Sequence, residues 1–305
     1  MMFNIPIPQP PLPDPIPLNN SSLEDMGCSR RYVYRVVYGA RVPQVPRLRA
    51  GKLFHKFMQV ISPEDHPLFM TTGGNDSAPI AAKYNTDEFK ALFKDVAPDT
   101  QIRLANLARE VGNILADDLA IGQREYYFDI PTDTKGVHVV GTIDLRNSYS
   151  AGFDVTVTDY KTTERPINGD IVMDYALKSQ LFFYAAADRL SNFNISSAQY
   201  RRRYVIVGYG SRHVSPDMNR SILVQQPELI HQHQLEMFAE MIQEKAQIAH
   251  FLHHNPGLST KDGMTNGVCK FCAFRQICAL NNPEKEADAF ARWPLGFETY
   301  NPKGF

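Results

Sequence analysis

Apolar residues recur with two different periods along this chain, and the change of period divides the chain into parts. Before about residue 121 the spacing is three to four residues, which predicts helices over residues 21–37, 48–60 and 87–121. Runs rich in β-branched residues then predict strands over residues 125–130, 137–146, 153–162, 200–209 and 220–224. Helical spacing returns over residues 171–190 and 227–253. This order predicts a single α/β domain with helical additions.

Both ends of the chain depart from these patterns. Residues 4–18 hold seven of the 21 prolines, and proline fixes φ and cannot donate a hydrogen bond to a sheet. We therefore predict an extended or disordered tail over residues 1–20. The domain then spans residues 21–280, with a cysteine-rich segment at 263–280, and residues 281–305 are predicted to form a C-terminal tail.

The composition is that of a soluble globular protein. The chain has 305 residues, of which 43% are hydrophobic and 21% charged. No apolar run approaches the roughly 20 residues that a membrane span needs, and the N-terminus lacks the basic and apolar regions of a secretory signal. We therefore expect a cytoplasmic protein that does not enter the membrane. Because thiols stay reduced in the cytoplasm, clustered cysteines there indicate a metal site rather than disulfides.

Charge is distributed unevenly although the net charge is only −1. Residues 23–60 hold eight Lys and Arg against two Glu and Asp, a local excess of +6, and a second knot is Arg201-Arg202-Arg203. Basic patches on a near-neutral protein are suited to a polyanionic substrate. Arginines that merely face solvent would leave the same pattern, and the sequence leaves both interpretations open.

Two short strings carry the candidate chemistry. They are Gly141-Thr-Ile-Asp144 and Asp159-Tyr160-Lys161, each within a predicted strand. Two carboxylates at the ends of neighbouring strands can hold Mg²⁺ or Mn²⁺, which prefer oxygen ligands. Lys161 shares a strand face with Asp159, so its amine can orient or deprotonate a water that attacks a phosphodiester. The carbonyl of Tyr160 is a plausible further ligand.

Four other residues extend this candidate site. Gln180 and Tyr184 are four residues apart in a predicted helix and therefore share one face. His55 lies in another predicted helix, where its imidazole can join carboxylates around Mn²⁺. Glu125, on the strand before Asp144, can act as an outer or alternative acidic group. Each of these residues, taken alone, also has an ordinary structural interpretation.

The chain has four cysteines, and three of them are closely spaced as Cys269-x2-Cys272-x5-Cys278, with Cys28 near the other end. Four thiolates suit either Zn²⁺ or an iron–sulfur cluster. Ligand type alone favours zinc, although zinc ribbons usually use two Cys-x2-Cys pairs. The residues by themselves leave both metals open.

Six motifs, taken in order, resemble the RecB-type nuclease family of the PD-(D/E)XK superfamily. The chain is most similar to its iron–sulfur branch, which includes CRISPR-associated exonucleases and the AddB nuclease domain. The motifs are Cys28, Gly51-x3-His55, Gly141-x-Ile-Asp144, Asp159-x-Lys161, Gln180-x3-Tyr184 and Cys269-x2-Cys272-x5-Cys278. They cover residues 21–280, and no helicase phosphate-binding loop accompanies them.

The resemblance implies a PD-(D/E)XK restriction-endonuclease-like core, in which helices flank a mixed central sheet. It also implies a metal-dependent DNA exonuclease that acts on single strands or duplex ends. By carry-over, the metal ligands would be His55, Asp144, Asp159 and the Tyr160 carbonyl, and the catalytic residues Asp144, Asp159, Lys161, Gln180 and Tyr184. The ion would be Mg²⁺ or Mn²⁺. Cys28, Cys269, Cys272 and Cys278 would hold a [4Fe-4S] cluster, with Zn²⁺ as the alternative, that joins the N- and C-terminal segments.

DNA repair, recombination or phage-type DNA processing is the expected setting of such a nuclease. The alternative function is a non-cutting DNA-binding subunit of a recombination or CRISPR-adaptation complex, which would also have protein partners. The intact Asp144, Asp159 and Lys161 favour the cutting enzyme over that alternative.

Overall fold

A computed structural model describes most of the chain. It covers residues 13–42, 46–61, 87–149, 154–165, 167–176, 178–191, 198–210, 221–259, 269, 272–280, 282–294 and 296. The predicted loop at 62–86, most of the N-terminal proline-rich tail and the final residues therefore lie outside the described residues. None of the described helices is long and apolar enough to cross a membrane.

The elements follow one another as a helical first third, a strand-rich centre and a helical end. The strands are β1 (Ile16–Leu18), β2 (Gln123–Pro131), β3 (Val137–Tyr149), β4 (Asp154–Thr163), β5 (Gln199–Gly208), β6 (Ile222–Val224) and β7 (Glu228–Ile230). The α-helices before β2 are α1 (Asn20–Asp25), α2 (Ser29–Tyr32), α3 (Pro46–Val60), α4 (Asp87–Lys94), α5 (Pro98–Ile114) and α6 (Ala116–Ile121). The later ones are α7 (Gly169–Ala176), α8 (Gln180–Ser191), α9 (Gln232–His254), α10 (Arg275–Cys278) and α11 (Pro283–Ala291). A π-helix at Val33–Val37 continues α2, and a 3-10 turn at Pro256–Leu258 follows α9.

The seven strands form one mixed sheet, as predicted. β3 pairs antiparallel with β2 and β4 and parallel with β1, while β5 pairs parallel with β4 and antiparallel with β6 and β7. A parallel pair needs a crossover connection, and α7 and α8 supply it between β4 and β5. The prediction of an α/β domain with a mixed sheet is confirmed.

Two hydrophobic cores lie on the two faces of this sheet, and β5 contributes to both. Tyr204 and Ile206 pack in the core that contains α8 and α9, whereas Val205 and Val207 pack with α3 and α5. This follows from the alternation of side chains along a strand. The residues that precede and follow Tyr160 in β4 therefore face the α8 side, and Tyr160 itself faces α3.

Several predicted helices are divided in the structure. The helix predicted over residues 87–121 is α4, α5 and α6, and α5 begins at Pro98, where proline fits the first turn but not a helix interior. The helix predicted over residues 171–190 is α7 and α8, and that predicted over residues 21–37 is interrupted after Asp25. The capping residue of α1 is Asn19, two residues before the predicted start, and it accepts a hydrogen bond from the Ser22 N–H.

The chain ends are more ordered than predicted. The tail over residues 1–20 was predicted to be extended or disordered. Disorder is wrong for Ile16–Leu18, because these residues form β1 and are buried against β3. Proline is tolerated there since the pairing involves only three residues. In the predicted C-terminal tail, Pro283–Ala291 is a helix whose Phe290 is fully buried.

The Arg201–Arg203 knot contacts the protein itself. Arg201 pairs with Asp154 at 3.2 Å, Arg202 with Glu228 at 2.8 Å, and the buried Arg203 with Asp118 at 2.6 Å. These ion pairs favour the structural interpretation of the knot over a surface that binds a polyanion.

Candidate active site

The two predicted carboxylates meet where β3 and β4 stop pairing. The last pair in the ladder is Leu145 opposite Thr158, so Asp144 and Asp159 are the next residues on the two strands. Both are buried, with 8% and 1% of their surface exposed. Two adjacent buried carboxylates repel each other unless cations or hydrogen-bond donors compensate their charge.

Asp144 is held by two neighbours of different kinds. Its Oδ2 accepts a hydrogen bond of 2.7 Å from the backbone N–H of Tyr160, and its Oδ1 lies 3.1 Å from His55 Nδ1. The other ring nitrogen of His55, Nε2, lies 2.8 Å from the Tyr160 carbonyl oxygen. His55 therefore connects β3 to β4 through the two groups that were predicted to be metal ligands with it.

Both ring nitrogens of His55 face acceptors, which only the doubly protonated imidazolium satisfies at once. Burial lowers the pKa of His55, but the carboxylate of Asp144 outweighs burial and raises this pKa to about 9. Burial likewise raises the pKa of Asp144, but the contact with His55 prevails and leaves that pKa lowered. The two groups thus form an ion pair. The imidazolium of His55 lies between the Asp144 carboxylate and the Tyr160 carbonyl, where a metal cation could otherwise bind.

The position of His55 depends on how closely α3 approaches β4. Gly51 precedes His55 by one helical turn, and a Cβ on Gly51 would lie 3.2 Å from Thr162 Oγ1. Phe54 packs edge-on against the Tyr160 ring at 6.1 Å between centroids. A small residue at 51 and an aromatic contact at 54 therefore bring the imidazole to the end of β4.

Asp159 belongs to a second group of contacts on the α8 side. Lys161 Nζ lies 2.7 Å from Asp159 Oδ2 and donates a hydrogen bond of 2.8 Å to Gln180 Oε1. Gln180 Nε2 donates in turn to the Tyr184 hydroxyl at 2.8 Å. Gln180 and Tyr184 share one helical face as their spacing predicted, and both lie in the chain of contacts that holds the lysine.

Burial and charge oppose each other at the lysine. Burial lowers the pKa of Lys161, but the Asp159 carboxylate outweighs it, and the net pKa lies above 10.5. Burial raises the pKa of Asp159 more than the Lys161 ammonium lowers it. Lys161 is consequently an ammonium ion at neutral pH, and it cannot accept a proton in this arrangement.

A further acidic residue lies on the His55 side. His55, Glu125 and Asp144 each offer one ligand atom, and these three atoms lie within 4.8 Å of one another. Burial, and then repulsion from Asp144, raise the pKa of Glu125 to about 7. A nitrogen and two carboxylate oxygens suit a divalent ion such as Mn²⁺ or Mg²⁺. The sequence pointed to Glu125 only as an outer or alternative group; its position opposite Asp144 in the β2–β3 hairpin brings it close to the other two residues.

The four cysteines are free thiols and do not form so tight a group. Among the described residues, no three cysteine sulfurs lie within 4.8 Å of one another. They are nevertheless neighbours: Cys272 lies close enough to Cys28 and Cys269, and Cys278 to Cys272 and Cys28, for their charges to interact. Burial is the main effect on Cys278 and raises the pKa of its thiol to about 12.

The predicted site residues therefore fall into two sets. The set predicted to hold the divalent metal and perform catalysis converges where β3 and β4 diverge; its members are His55, Asp144, Asp159, Tyr160, Lys161, Gln180 and Tyr184. The cysteine set lies in one region without forming a compact ligand sphere. The chemical roles of both sets remain predictions.

Comparison with known proteins supplies a family and a fold. The model of the PD-(D/E)XK nuclease superfamily matches residues 19–279. A crystal structure of a candidate exonuclease from Eubacterium rectale superposes with a TM-score of 0.53 at 9% identity, covering 88% of this chain and 89% of that one. At this identity the likeness shows the fold alone. A second structure, of SSO0001, covers 78% of this chain and 95% of its own at 15% identity, with a TM-score of 0.31. No curated protein matches significantly.

Proposed function

We propose that this chain, which belongs to the PD-(D/E)XK nuclease superfamily, hydrolyses phosphodiester bonds of DNA with the help of Mg²⁺ or Mn²⁺. The main support is the convergence of Asp144, Asp159 and Lys161 where β3 and β4 stop pairing and diverge. Two buried carboxylates beside an ammonium ion are a costly arrangement unless a cation and an anionic substrate use it.

His55, Asp144, Asp159 and the Tyr160 carbonyl would hold the metal ion. When bound, a divalent ion neutralises charge on the phosphate and lowers the pKa of a coordinated water. The Asp144 carboxylate is held in its ionised form and oriented by the Tyr160 N–H, so it can bind a metal ion once the His55 imidazolium no longer pairs with it. His55 must lose a proton before it can act as a ligand.

Lys161 would stabilise charge rather than act as the base. Its ammonium remains protonated at neutral pH beside Asp159, and Gln180 fixes its direction. An ammonium in this position stabilises negative charge that develops on the phosphate in the transition state. Tyr184 in turn orients Gln180, so both α8 residues act by positioning the lysine.

The test is cleavage of single-stranded and duplex DNA labelled at the 5′ or 3′ end, with Mn²⁺ or Mg²⁺ and with a chelator. We expect the wild-type protein to cut only with metal. Asp144→Ala should abolish cleavage, and Lys161→Ala should lower kcat by roughly 10²- to 10³-fold with little change in the Kd for DNA, because the ammonium acts on the transition state.

Asp154→Asn is the matched control, since Asp154 lies on the same strand as Asp159 but at its other end, half-exposed and paired with Arg201. It should cut like the wild type. Full activity of Asp144→Ala or Lys161→Ala would contradict the assignment, and a wild-type protein that binds DNA but cuts with neither metal would favour the non-cutting subunit.

Digestion from DNA ends, in repair, recombination or phage-type processing, is part of the same proposal. Its support is the resemblance of the ordered motifs to RecB-type exonucleases. Release of mononucleotides or short fragments from linear but not from circular single strands would distinguish an exonuclease from an endonuclease.

We also propose that Cys28, Cys269, Cys272 and Cys278 hold a [4Fe-4S] cluster. The four cysteines are neighbours, because the charge of Cys272 interacts with those of Cys28 and Cys269, and the charge of Cys278 with those of Cys272 and Cys28. Four thiolates suit either an iron–sulfur cluster or Zn²⁺. The resemblance of the ordered motifs to the iron–sulfur nucleases supports the cluster over zinc.

Iron and zinc contents of protein purified without oxygen test this second proposal. We expect iron and a coloured protein, and loss of both in Cys278→Ala but not in Gln276→Ala, an exposed neighbour on α10. A colourless protein with stoichiometric zinc would identify the alternative metal, and wild-type folding of a metal-free Cys278→Ala variant would contradict a structural role.

A further inference from the structure

Glu125 lies opposite Asp144 in the β2–β3 hairpin. Arg124 pairs with Leu145 and Tyr126 with Ile143, which leaves Glu125 and Asp144 facing each other across the strands. Like charges placed directly opposite in a sheet are destabilising. Neither carboxylate is fully exposed, so water screens their repulsion only in part.

The backbone of Glu125 is strained. Its φ is +48°, and among the described residues it is the only one other than glycine with a positive φ. A long side chain is unfavourable in this region, which glycine, asparagine and aspartate occupy more easily. Glu125 keeps this unfavourable conformation beside a like charge. This suggests that its carboxylate is needed at this position.

Contacts with α3 hold Glu125 in this conformation. The guanidinium of the preceding Arg124 donates hydrogen bonds to the carbonyls of Met58, Gln59 and Ile61 at the end of that helix. The side chain of Gln59, one turn after His55, also hydrogen-bonds Glu125. The strand end that carries Glu125 is thereby fixed to the helix that carries His55.

We propose that Glu125 is a ligand of the divalent metal ion, together with His55 and Asp144. This inference rests on the proposed metal-dependent nuclease function and adds a ligand to it. Bonds of about 2.1 Å place ligand atoms on opposite sides of Mg²⁺ about 4.2 Å apart. The three ligand atoms lie within 4.8 Å of one another, so small movements would close them around an ion.

The proposal accounts for both unfavourable features at once. A dication between Glu125 and Asp144 turns their repulsion into two attractions, and the positive φ directs the carboxylate toward the ion. Asp159, whose Oδ2 lies 2.7 Å from Lys161 Nζ, would complete the ligand set from the α8 side of the site.

The test is Mn²⁺ binding to the DNA-free protein. Binding is measured by calorimetry and by the electron paramagnetic resonance signal of free Mn²⁺. We expect Glu125→Gln to weaken binding by about 10- to 100-fold, as losses of conserved groups around metal sites do. Glu125→Asp keeps the charge but shortens the side chain, so its Mn²⁺ affinity should lie between those of the wild type and Glu125→Gln. Asp129→Asn is the matched control, because Asp129 is a carboxylate on the same strand that pairs with His138 instead.

A thermal melt in chelator and in Mn²⁺ separates ligation from folding. In chelator, Glu125→Gln and Glu125→Gly should melt no lower than the wild type, since each removes the facing charge and glycine also relieves the positive φ. Both should lose most of the Mn²⁺-dependent rise in Tm.

Wild-type Mn²⁺ affinity in Glu125→Gln would overturn the proposal if Asp144→Asn loses binding in the same assay. If Asp144→Asn also binds Mn²⁺ like the wild type, the metal site of the proposed function fails together with the role of Glu125. A Glu125→Gln variant that melts far lower in chelator would assign Glu125 to folding and would equally overturn the proposal.

Discussion

At the residue scale, Gly141 shows how a missing side chain shapes the site. It lies on β3 three residues before Asp144 and pairs with Phe128 of β2. A Cβ at this position would lie 2.5 Å from an atom of the Phe128 ring. The glycine therefore lets the aromatic ring cover the strand, where it also packs against Tyr184 at 6.0 Å between centroids.

We predict that Gly141→Ala lowers the free energy of unfolding by about 1–3 kcal/mol, because the methyl group overpacks a site closed by a rigid ring. Urea unfolding would measure the change. Gly169→Ala is the control, since no atom lies within 4 Å of a Cβ built there. An unchanged midpoint in Gly141→Ala would show that the Phe128 ring moves aside easily.

Together with the resemblance of the ordered motifs, the sequence predicted the acidic pair and the lysine because strand alternation and hairpin spacing determine which side chains meet. Asp144, Asp159 and Lys161 needed no further information. The position of Glu125 depends on one backbone dihedral, φ +48°, that no residue preference favours for glutamate. The ion pair between His55 and Asp144 likewise depends on how α3 packs, which periodicity does not reveal.

At the element scale, helical periodicity found where helices lie but not where they break. Apolar spacing continues across the ends of α4, α5 and α6, because all three pack against the same side of the sheet. Ile114 follows the apolar spacing but is 57% exposed, since the helix ends there. β7 lies within the helix predicted over residues 227–253, because three residues are too few for a strand period to be recognised.

Helix α9 contacts the N-terminal segment through a buried histidine. His253 Nε2 lies 3.2 Å from the Tyr32 hydroxyl, and the two rings meet edge-on at 5.9 Å. Burial, and then the nearby His254 and His250, lower the pKa of His253 to about 4. His253 is thus a structural group, since its ring is buried against Tyr32.

We predict that this histidine makes the fold sensitive to acid. Between pH 6.5 and pH 4 the unfolded chain binds a proton at His253 that the native protein does not, so stability is full above pH 6.5 and falls as the pH drops through this window. The loss approaches about 3 kcal/mol at the lower limit. Urea unfolding at pH 7, 6 and 5 would measure it.

His253→Phe should flatten this pH dependence, because phenylalanine does not titrate and keeps a ring against Tyr32. His233→Gln changes an exposed histidine of the same helix and should behave like the wild type. If the free energy of unfolding changes equally with pH in the wild type and in His253→Phe, His253 is not the acid-sensitive group.

At the scale of the whole molecule, the two ends of the chain are joined without any metal. Arg30 forms a buried ion pair of 3.2 Å with Glu286 and donates to the Ser259 carbonyl at 2.8 Å. Tyr34 stacks on Phe290 at 4.3 Å and meets Phe274 edge-on at 5.2 Å. The segments that carry Cys28 and Cys278 are therefore neighbours through direct protein contacts.

We predict that Glu286→Gln lowers the free energy of unfolding by about 3–5 kcal/mol, because it leaves the charge of Arg30 buried without its partner. Chemical unfolding of the two proteins side by side would measure the loss. Glu284→Gln removes an exposed carboxylate from the same helix and should change little. A small effect of Glu286→Gln would mean that water reaches Arg30.

The sequence suggested that the ends meet only through the resemblance of its cysteine motifs. Local patterns could not show it, because Arg30 and Glu286 look like ordinary surface residues and are paired across nearly the whole chain. Proline content likewise suggested disorder at Ile16–Leu18, where long-range pairing with β3 prevails over local preference.

The contact between α11 and the first helices has a consequence for biosynthesis. Arg30 and Tyr34 leave the ribosome long before their partners, since Glu286 follows Arg30 by 256 residues and Phe290 lies on the same late helix. The N-terminal helices must therefore wait, with an aromatic ring and a charge uncovered, until α11 has been synthesised. A message cut short before the codon of Glu286 would yield a chain that holds β3 and β4 but lacks the residues that cover its first helices.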